Sequence, residues 1–382
     1  MSKITAQLNN FHVRNTTLSS TERVVSVDAL RGFDMFWIIG GEGVVMGLDK
    51  VFHNNISKFL YNQMNHVEWF GFRFYDIIMP LFMFLVGISM VYSYRKRLKA
   101  EPSDKKLWMH TIKRIIILWI LGMVVQGNLL SYDINEFQFY SNTLQAIASG
   151  YLIATIIVLY LPVIQQIIAT VGLLVLYWGI MVLIPVNGHP AGFITPFSNV
   201  AQFVDALILG GFDDGYDYTW IISSINFGAT TMLGVFTGYM LQSGVSQMKK
   251  LRNFVLFGIA LIALALLMDC FHPIIKKLWT SSFVLFSGGI CVLLLSLFYL
   301  LIDVWKIRIG TKWMIVIGSN GIFAYVVSHV FGEQLRGMAT VLIGGLKPYI
   351  GNWDESLTFA GGVLILYAVL RYMYNNKIFI KI

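Results

Sequence analysis

The sequence predicts an all-α integral membrane protein, a bundle of about ten transmembrane helices. Of its 382 residues, 57% are hydrophobic and 13% are charged, whereas soluble domains carry about 25% charged residues. Apolar stretches of about 20 residues recur along the chain, and each is long enough to cross a bilayer as a helix. A polar tail, 1–22, precedes a single transmembrane domain, 23–382. The tail has no apolar signal-peptide region, so we expect it to stay in the cytoplasm.

The predicted spans follow from hydropathy and length. In chain order they are 26–48, 74–94, 111–130, 142–161, 163–184, 218–241, 252–270, 281–302, 313–332 and 355–374. Between the last two, the glycine-rich residues 333–352 are predicted to hold a short re-entrant or interfacial helix.

The basic residues indicate the orientation of these spans, because Lys and Arg accumulate in cytoplasmic loops. The segment 95–114 is the most basic, so it is predicted to be cytoplasmic. Counting spans from there places both termini in the cytoplasm. The same topology explains the net charge of +8 without a nucleic-acid partner.

One predicted external loop, 185–217, is acidic. It contains Asp205, Asp213, Asp214 and Asp217. Either this loop is an ordinary solvated connection, or its carboxylates attract a cationic amine.

Ionisable residues inside a span are costly and therefore indicate function. Asp34 and Glu42 in the first span are eight residues apart, about 80° around a helix and about 12 Å along it. They could line one cavity at two depths. Asp28 and Arg31 could form an ion pair on one helix face. Gly40, inside the same span, favours close helix packing or a broken helix.

His66 lies near the external end of the second span. Its ordinary pKa suits it to accept and return a proton near neutral pH. A carboxylate from Glu42, Glu68 or Asp76 would fix its tautomer. The alternative is a loop histidine with an ordinary hydrogen bond.

A second polar group is predicted on the ninth span, where Asn320, Tyr325 and His329 fall within one helix. Tyr325 and His329 share a face, so they either bond a neighbouring helix or line a substrate cavity. The signatures of serine hydrolases, P-loop enzymes and zinc peptidases are missing from the sequence. We expect no metal.

Several short motifs now indicate a family. In order they are Ser26-Val-Asp-Ala-Leu-Arg31-Gly32, His66-Val-Glu-Trp69-Phe-Gly71, Asp76-Ile-Ile-Met-Pro80 through Ser89, Leu144-Gln145, Gly228 to Gly238, Lys276-Lys-Leu-Trp279-Thr-Ser-Ser-Phe283, and Asn320 through Tyr325 and His329 to Phe331. Together they resemble the heparan-alpha-glucosaminide N-acetyltransferase family, which comprises a lysosomal transmembrane enzyme and many bacterial relatives. The chain is most similar to a bacterial-type member.

The resemblance implies transfer of an acetyl group from cytoplasmic acetyl-CoA to the amine of an extracytoplasmic amino sugar, such as glucosamine or the end of a heparan sulfate-like glycan. The implied partners are acetyl-CoA, the acceptor glycan and the lipid bilayer, and a second copy of the chain is a candidate homodimer partner. The implied location is the bacterial cytoplasmic membrane.

The resemblance also implies roles for individual residues. It implies that His66 is the catalytic residue, and Glu42 and Asp34 of the first span are expected to be its catalytic partners, although the lysosomal enzyme has an asparagine where this chain has Glu42. Substrate-binding residues are expected to be Asp76, Trp69, Asn320, His329 and Gln145, and those that bind acetyl-CoA are expected to be Arg31, Lys276 and Trp279.

Two mechanisms fit this site: His66 carries the acetyl group itself, or it serves only as the base for direct attack. Asn320 or His329 could stabilise the tetrahedral oxyanion. A different class of function also fits the sequence. In a proton-coupled transporter, Asp34, Glu42 and His66 would form a proton relay. An inverted repeat would favour the transporter, and the sequence shows none.

Overall fold

The computed structural model describes residues 24–100, 103–186, 188–196, 198–215 and 218–380. Over these residues the chain is helical, and its only β-pairing consists of isolated bridges. The all-α prediction is therefore confirmed, while the predicted tail 1–22 lies outside the described residues. The helices are α1 Val25–Phe36, α2 Glu42–Phe52, α3 Asn55–Met64, α4 Ile78–Ala100, α5 Asp104–Val125, α6 Thr143–Tyr160, α7 Val163–Leu183, α8 Val200–Leu209, α9 Ser223–Gln242, α10 Gln247–Asp269, α11 Ser281–Phe298, α12 Thr311–Ser319, α13 Gly321–Val330, α14 Gly332–Ile343, α15 Lys347–Ile350 and α16 Asp354–Asn375.

Seven helical stretches in the described part of the chain are long and apolar enough to cross a membrane, or eight if the bent pair α12–α13 forms one span. They are Phe74–Arg97, Asp104–Val125, Thr143–Tyr160, Val163–Leu183, Gln247–Asp269, Ser281–Val304 and Gly332–Asn375. The first and sixth predicted spans correspond to α1–α2 and to α9, which are not among the seven. The count of ten and the cytoplasmic termini stay predictions.

Helix α4 lies at the centre of the bundle. In the stretch Phe74–Arg97, 78% of the apolar window is buried, against 17% in Asp104–Val125 and 22% in Gln247–Asp269. Helices α5 and α10 therefore lie at the periphery. They present apolar side chains such as Ile120 and Leu267 outward, as expected for surfaces that contact lipid.

Small residues allow α4 to approach its neighbour α9 closely. A Cβ atom on Gly87 would lie 2.1 Å from the carbonyl oxygen of Thr231, and one on Gly234 would lie 2.0 Å from that of Phe84. The two backbones are therefore in direct contact at these positions. Close backbone approach of this kind is the usual way in which helices associate within a bilayer.

The first predicted span is a broken helix. Helix α1 ends at Phe36, a π turn follows over Trp37–Gly41, and α2 starts at Glu42. Gly40 in this turn has φ = 130°, which an L-residue with a side chain rarely adopts. The interpretation of Gly40 as a helix-breaking position is confirmed.

The ninth predicted span is also broken, so the prediction that Asn320, Tyr325 and His329 share one helix is wrong. Helices α12 and α13 meet at an angle of 77°, with Asn320 at the bend. The Asn320 amide donates to the carbonyl of Ile378 at 3.0 Å and accepts from the amide of Ile380 at 2.9 Å. It thus holds the C-terminal segment in place. Tyr325 and His329 do share a face of α13, and their rings stack 4.1 Å apart.

We expect Gly87→Val to destabilise the protein by more than about 2 kcal/mol, because the added side chain forces two packed backbones apart. Gly172→Val is the matched control, since a Cβ on Gly172 meets no atom within 4 Å. Thermal unfolding of both variants in detergent tests this. Equal melting temperatures would show that α4 and α9 do not pack as described.

Candidate active site

His66 lies in the loop that joins α3 to a short 3₁₀ helix, Phe74–Ile77. Its Nδ1 atom is 2.8 Å from Oδ1 of Asp76. The Nζ atom of Lys276 is 2.8 Å from Nδ1 and 3.2 Å from Nε2 of the same ring. Nζ is also 3.3 Å from Oδ1 of Asp76. A histidine, a carboxylate and a lysine thus meet at one point, although His66 and Lys276 are 210 residues apart in the chain.

The carboxylate of Asp76 is fully buried and held by the backbone. Its Oδ2 atom accepts hydrogen bonds from the amide of Arg73 at 2.9 Å and from that of Val67 at 3.4 Å. These bonds leave Oδ1 to accept from the imidazole. When Nδ1–H donates to Asp76, Nε2 is the unprotonated nitrogen of neutral His66, and the contact of Lys276 Nζ that can be a hydrogen bond is the one to Nε2 at 3.2 Å.

Two tight turns bring the loops together. The amide of Gly71 donates to the carbonyl of Ile274 at 3.0 Å, and Gly71 has φ = 103°, a conformation that glycine adopts readily. In the second loop, the amide of Trp279 donates to the carbonyl of Lys276 at 2.8 Å. The Trp279 indole then donates to Thr230 Oγ1 at 3.0 Å, which fixes this loop on α9.

The three groups change one another's proton affinity. Burial, followed by the cation of Lys276, lowers the pKa of His66 below its ordinary value, and Asp76 opposes this shift. Burial lowers the pKa of Lys276 to about 8, again against the effect of Asp76. At pH 7 His66 is therefore mainly a neutral base beside a mainly protonated lysine.

His66 and Lys276 both line a cavity of about 330 Å³. Of the other predicted site residues, Trp279 and His329 also line it. Most of its remaining walls are apolar or aromatic, as in small-molecule sites generally; they include Ile38, Ile78, Met79, Phe82, Leu144, Ile147, Phe227 and Tyr325.

The two predicted catalytic carboxylates lie elsewhere. Asp34 is fully buried, and neither of its oxygens has a hydrogen-bond partner among the described residues. Glu42 lines a second cavity, of about 460 Å³. Of the three carboxylates considered as partners of His66, the structure places Asp76 against the ring.

The remaining predicted site residues have structural contacts. Gln145 accepts from the amides of Ser141 and Asn142 at the start of α6. Trp69 packs in a small apolar cluster with Tyr177 and Leu278, among others. Arg31 pairs with Asp28 at 3.2 Å and donates to Ser89 at 2.8 Å. The predicted Asp28–Arg31 ion pair is confirmed, and Arg31 does not line either cavity.

The structure adds residues that the sequence did not single out. The ring of Tyr75 lies 5.0 Å from that of His66, and Tyr75 lines the first cavity. Trp220 lines it as well, and its indole donates to Asp214 at 2.8 Å. Asp214 belongs to the acidic loop, so that loop contributes one carboxylate to the cavity wall. The acidity of the loop was the sequence signal that could have pointed to Asp214. For Tyr75 the only sequence signal was its position next to Asp76.

Comparisons with known proteins find similarity to one family. A family model described as "Heparan-alpha-glucosaminide N-acetyltransferase, catalytic" matches residues 23–206, which include His66 and Asp76. This part of the chain, just under half of its length, is therefore similar to that family. The heparan-alpha-glucosaminide N-acetyltransferase of Homo sapiens is 24% identical over 415 aligned positions, covering 92% of this chain and 60% of the relative. That of Mus musculus is 24% identical over 374 positions, covering 82% of this chain and 54% of the relative.

The chain spans less than two thirds of the length of these two relatives. The long apolar helices of the described residues support an integral membrane protein. Lys276 and Trp279 lie beyond the matched segment, yet the structure brings them to the same cavity as His66.

We expect Lys276→Met to raise the pKa of His66, because it removes a cation that lowers it. Asp76→Asn should lower that pKa, because it removes the opposing anion. Diethyl pyrocarbonate modifies only neutral imidazole, so the rate of His66 modification against pH, followed by peptide mass spectrometry, reports both shifts.

Lys347→Met is the matched control, since Lys347 pairs with Asp354 and does not line the first cavity. A shift of the same size in the control would show that Lys276 does not act directly on His66.

Proposed function

We propose that this protein is a membrane-embedded acetyltransferase that moves an acetyl group from acetyl-CoA to the amine of an extracytoplasmic amino sugar, such as glucosamine or a glycan terminus. The observation that carries the proposal is the 2.8 Å contact between His66 and the buried Asp76 at the wall of a largely apolar cavity. Its curated relatives are named for acetyl transfer to heparan-alpha-glucosaminide.

The walls of the first cavity suit an acetyl thioester. The side chain of Trp279 and the apolar walls can hold the acyl arm, and Lys277 provides a cation for the phosphates of acetyl-CoA. Arg31, which the family resemblance assigned to acetyl-CoA, lies outside this cavity.

We infer that His66 acts as a base for direct attack. The amine nitrogen attacks the acyl carbon, so a C–N bond forms and the carbonyl becomes an oxyanion. The proton of the amine moves to Nε2 of His66 while Asp76 stabilises the imidazolium. Collapse of the intermediate breaks the C–S bond, leaving an amide and a thiolate.

We further infer that Lys276 returns the proton to sulfur. Its pKa of about 8 is close to that of an ordinary thiol, about 8.5, so its ammonium can protonate the departing thiolate. Nζ lies within 3.2 Å of both ring nitrogens of His66. The imidazolium can therefore reprotonate Lys276 directly, and the cycle closes without a separate acid.

A proton-coupled transporter receives no support from these contacts. Its relay would join Asp34, Glu42 and His66, but Asp34 has no hydrogen-bond partner among the described residues and Glu42 lines the other cavity. The bacterial cytoplasmic membrane is the location that we propose for the enzyme.

Purified protein incubated with labelled acetyl-CoA and a panel of amino sugars should yield N-acetylated sugar. We expect His66→Ala to lower kcat/KM by about 10² or more, the usual contribution of a general base. His53→Ala is a suitable control, because His53 lies at the end of α2 and does not line the first cavity.

No product from any amino sugar would contradict the proposal. Label trapped on His66 of the wild type in the absence of acceptor would instead show an acetyl-histidine intermediate and exclude direct attack.

A change of leaving group tests the role of Lys276. We expect Lys276→Met to lower the rate by about 10² with acetyl-CoA, but by less than about tenfold with the acetyl thioester of an aryl thiol, whose thiolate leaves without a proton. Equal losses of rate with both donors would mean that Lys276 stabilises the structure of the site and does not protonate the leaving group. Lys276→Arg, which keeps the charge but is a poor acid, separates electrostatic stabilisation from proton transfer.

A further inference from the structure

The second cavity, of about 460 Å³, lies where two helices break. One wall is the π turn at Gly40 with Glu42 directly after it; another is the junction of α13 and α14 around Gly332. Helix α16 contributes Phe359 to a third wall. In membrane proteins, irregular backbone at such breaks is tolerated where it lines a cavity, and broken helices often mark a binding site.

The walls of this cavity carry hydrogen-bonding side chains of several kinds. They are Glu42, Ser328, His329, Glu333, Gln334 and Arg336. The Oε2 atom of Glu42 is buried and has no hydrogen-bond partner among the described residues. A buried carboxylate oxygen without a partner is costly unless a ligand or water supplies a donor. The cavity therefore suits a ligand rich in hydroxyl or amine donors.

An aromatic ring and a guanidinium lie on the same walls. The Cζ atom of Arg336 is 5.1 Å from the ring centroid of Phe359, within the range of a cation–π contact. The contact fixes the arginine while its N–H groups remain able to donate to ligand oxygens. The guanidinium of Arg336 and the carboxyl group of Glu42 on these walls match the hydroxyl groups at the edge of a pyranose.

The charges of the cavity disfavour the acetyl donor as its occupant. Glu42 and Glu333 provide two carboxylates against the single cation of Arg336. The phosphates of acetyl-CoA would meet like charges here, whereas Lys276 and Lys277 line the first cavity.

We propose that the second cavity is the acceptor subsite, in which Glu42 and Arg336 bind the hydroxyl groups of an amino sugar beside the ring of Phe359. The proposal rests on the acetyltransferase function proposed above. Ile38 and His329 line both cavities, so the two cavities abut at this pair. A sugar in the second cavity directs its amine past them toward the acetyl group in the first. Glu42 is then a binding residue for the acceptor.

Kinetics with two acceptors test this assignment. Glucosamine fills the subsite, whereas ethanolamine offers an amine without the sugar ring. We expect Glu42→Gln and Arg336→Met each to raise the KM for glucosamine about tenfold, the loss expected for one hydrogen bond to a charged group. The KM for acetyl-CoA and kcat/KM for ethanolamine should change less than about twofold.

Matched controls remove charges of the same kind elsewhere. Glu136→Gln and Arg308→Met change exposed side chains that line neither cavity, and they should leave all constants unchanged. Equal losses with glucosamine and ethanolamine in the Glu42 and Arg336 variants would overturn the assignment. A rise confined to the KM for acetyl-CoA would also overturn it, and would assign this cavity to the donor.

A binding readout separates this inference from the proposed function. In a Cys270→Ser background, Gln334→Cys places a thiol in the second cavity, and Tyr349→Cys places one on an exposed position outside both cavities. We expect glucosamine to slow maleimide labelling of the first thiol and not of the second.

Protection of Gln334→Cys in a protein that acetylates no sugar would support the subsite and contradict the acetyltransferase function. If the protein acetylates glucosamine but saturating glucosamine does not slow labelling of Gln334→Cys, the subsite assignment is contradicted and the acetyltransferase function is not.

Discussion

The contacts of the candidate active site depend on one buried carboxylate. Asp76 accepts two backbone hydrogen bonds through one oxygen and contacts His66 and Lys276 through the other. A carboxylate in this setting would be strongly destabilising if it were unpaired. His66 and Lys276 must therefore keep their positions if Asp76 is to stay paired. The same contacts that stabilise Asp76 place a base and an acid within one hydrogen bond of each other.

Two broken helices make room for ligands in an otherwise tightly packed bundle. Elsewhere helices approach through small residues, as α4 and α9 do at Gly87 and Gly234, and such contacts leave little space. At Gly40 and at the junction of α13 and α14 around Gly332 the regular helix stops and polar groups face the second cavity. Stability and ligand binding are thus served by different parts of the same helices.

The two cavities offer a physical reason for a difference between this chain and its lysosomal relative. The family resemblance aligns Glu42 with an asparagine of that enzyme. In this structure Glu42 lines the second cavity, and Asp76 is the carboxylate that contacts the imidazole. Under the proposed assignment, replacement of an amide by a carboxylate changes which sugar is preferred and leaves the proton transfer to His66, Asp76 and Lys276.

The sequence by itself determined the helical class, because composition and the recurrence of 20-residue apolar stretches dictate that backbone groups be satisfied within helices. It also singled out His66, Lys276 and Trp279 through short motifs, and Gly40 through its place inside an apolar span. It could not choose among Glu42, Glu68 and Asp76 as the partner of His66, or detect the bend at Asn320. Only the tertiary structure decided these outcomes, because they depend on contacts between segments far apart in the chain: the packing of two loops around the buried Asp76 selects the partner of His66, and contacts with Ile378 and Ile380 hold Asn320 at the bend.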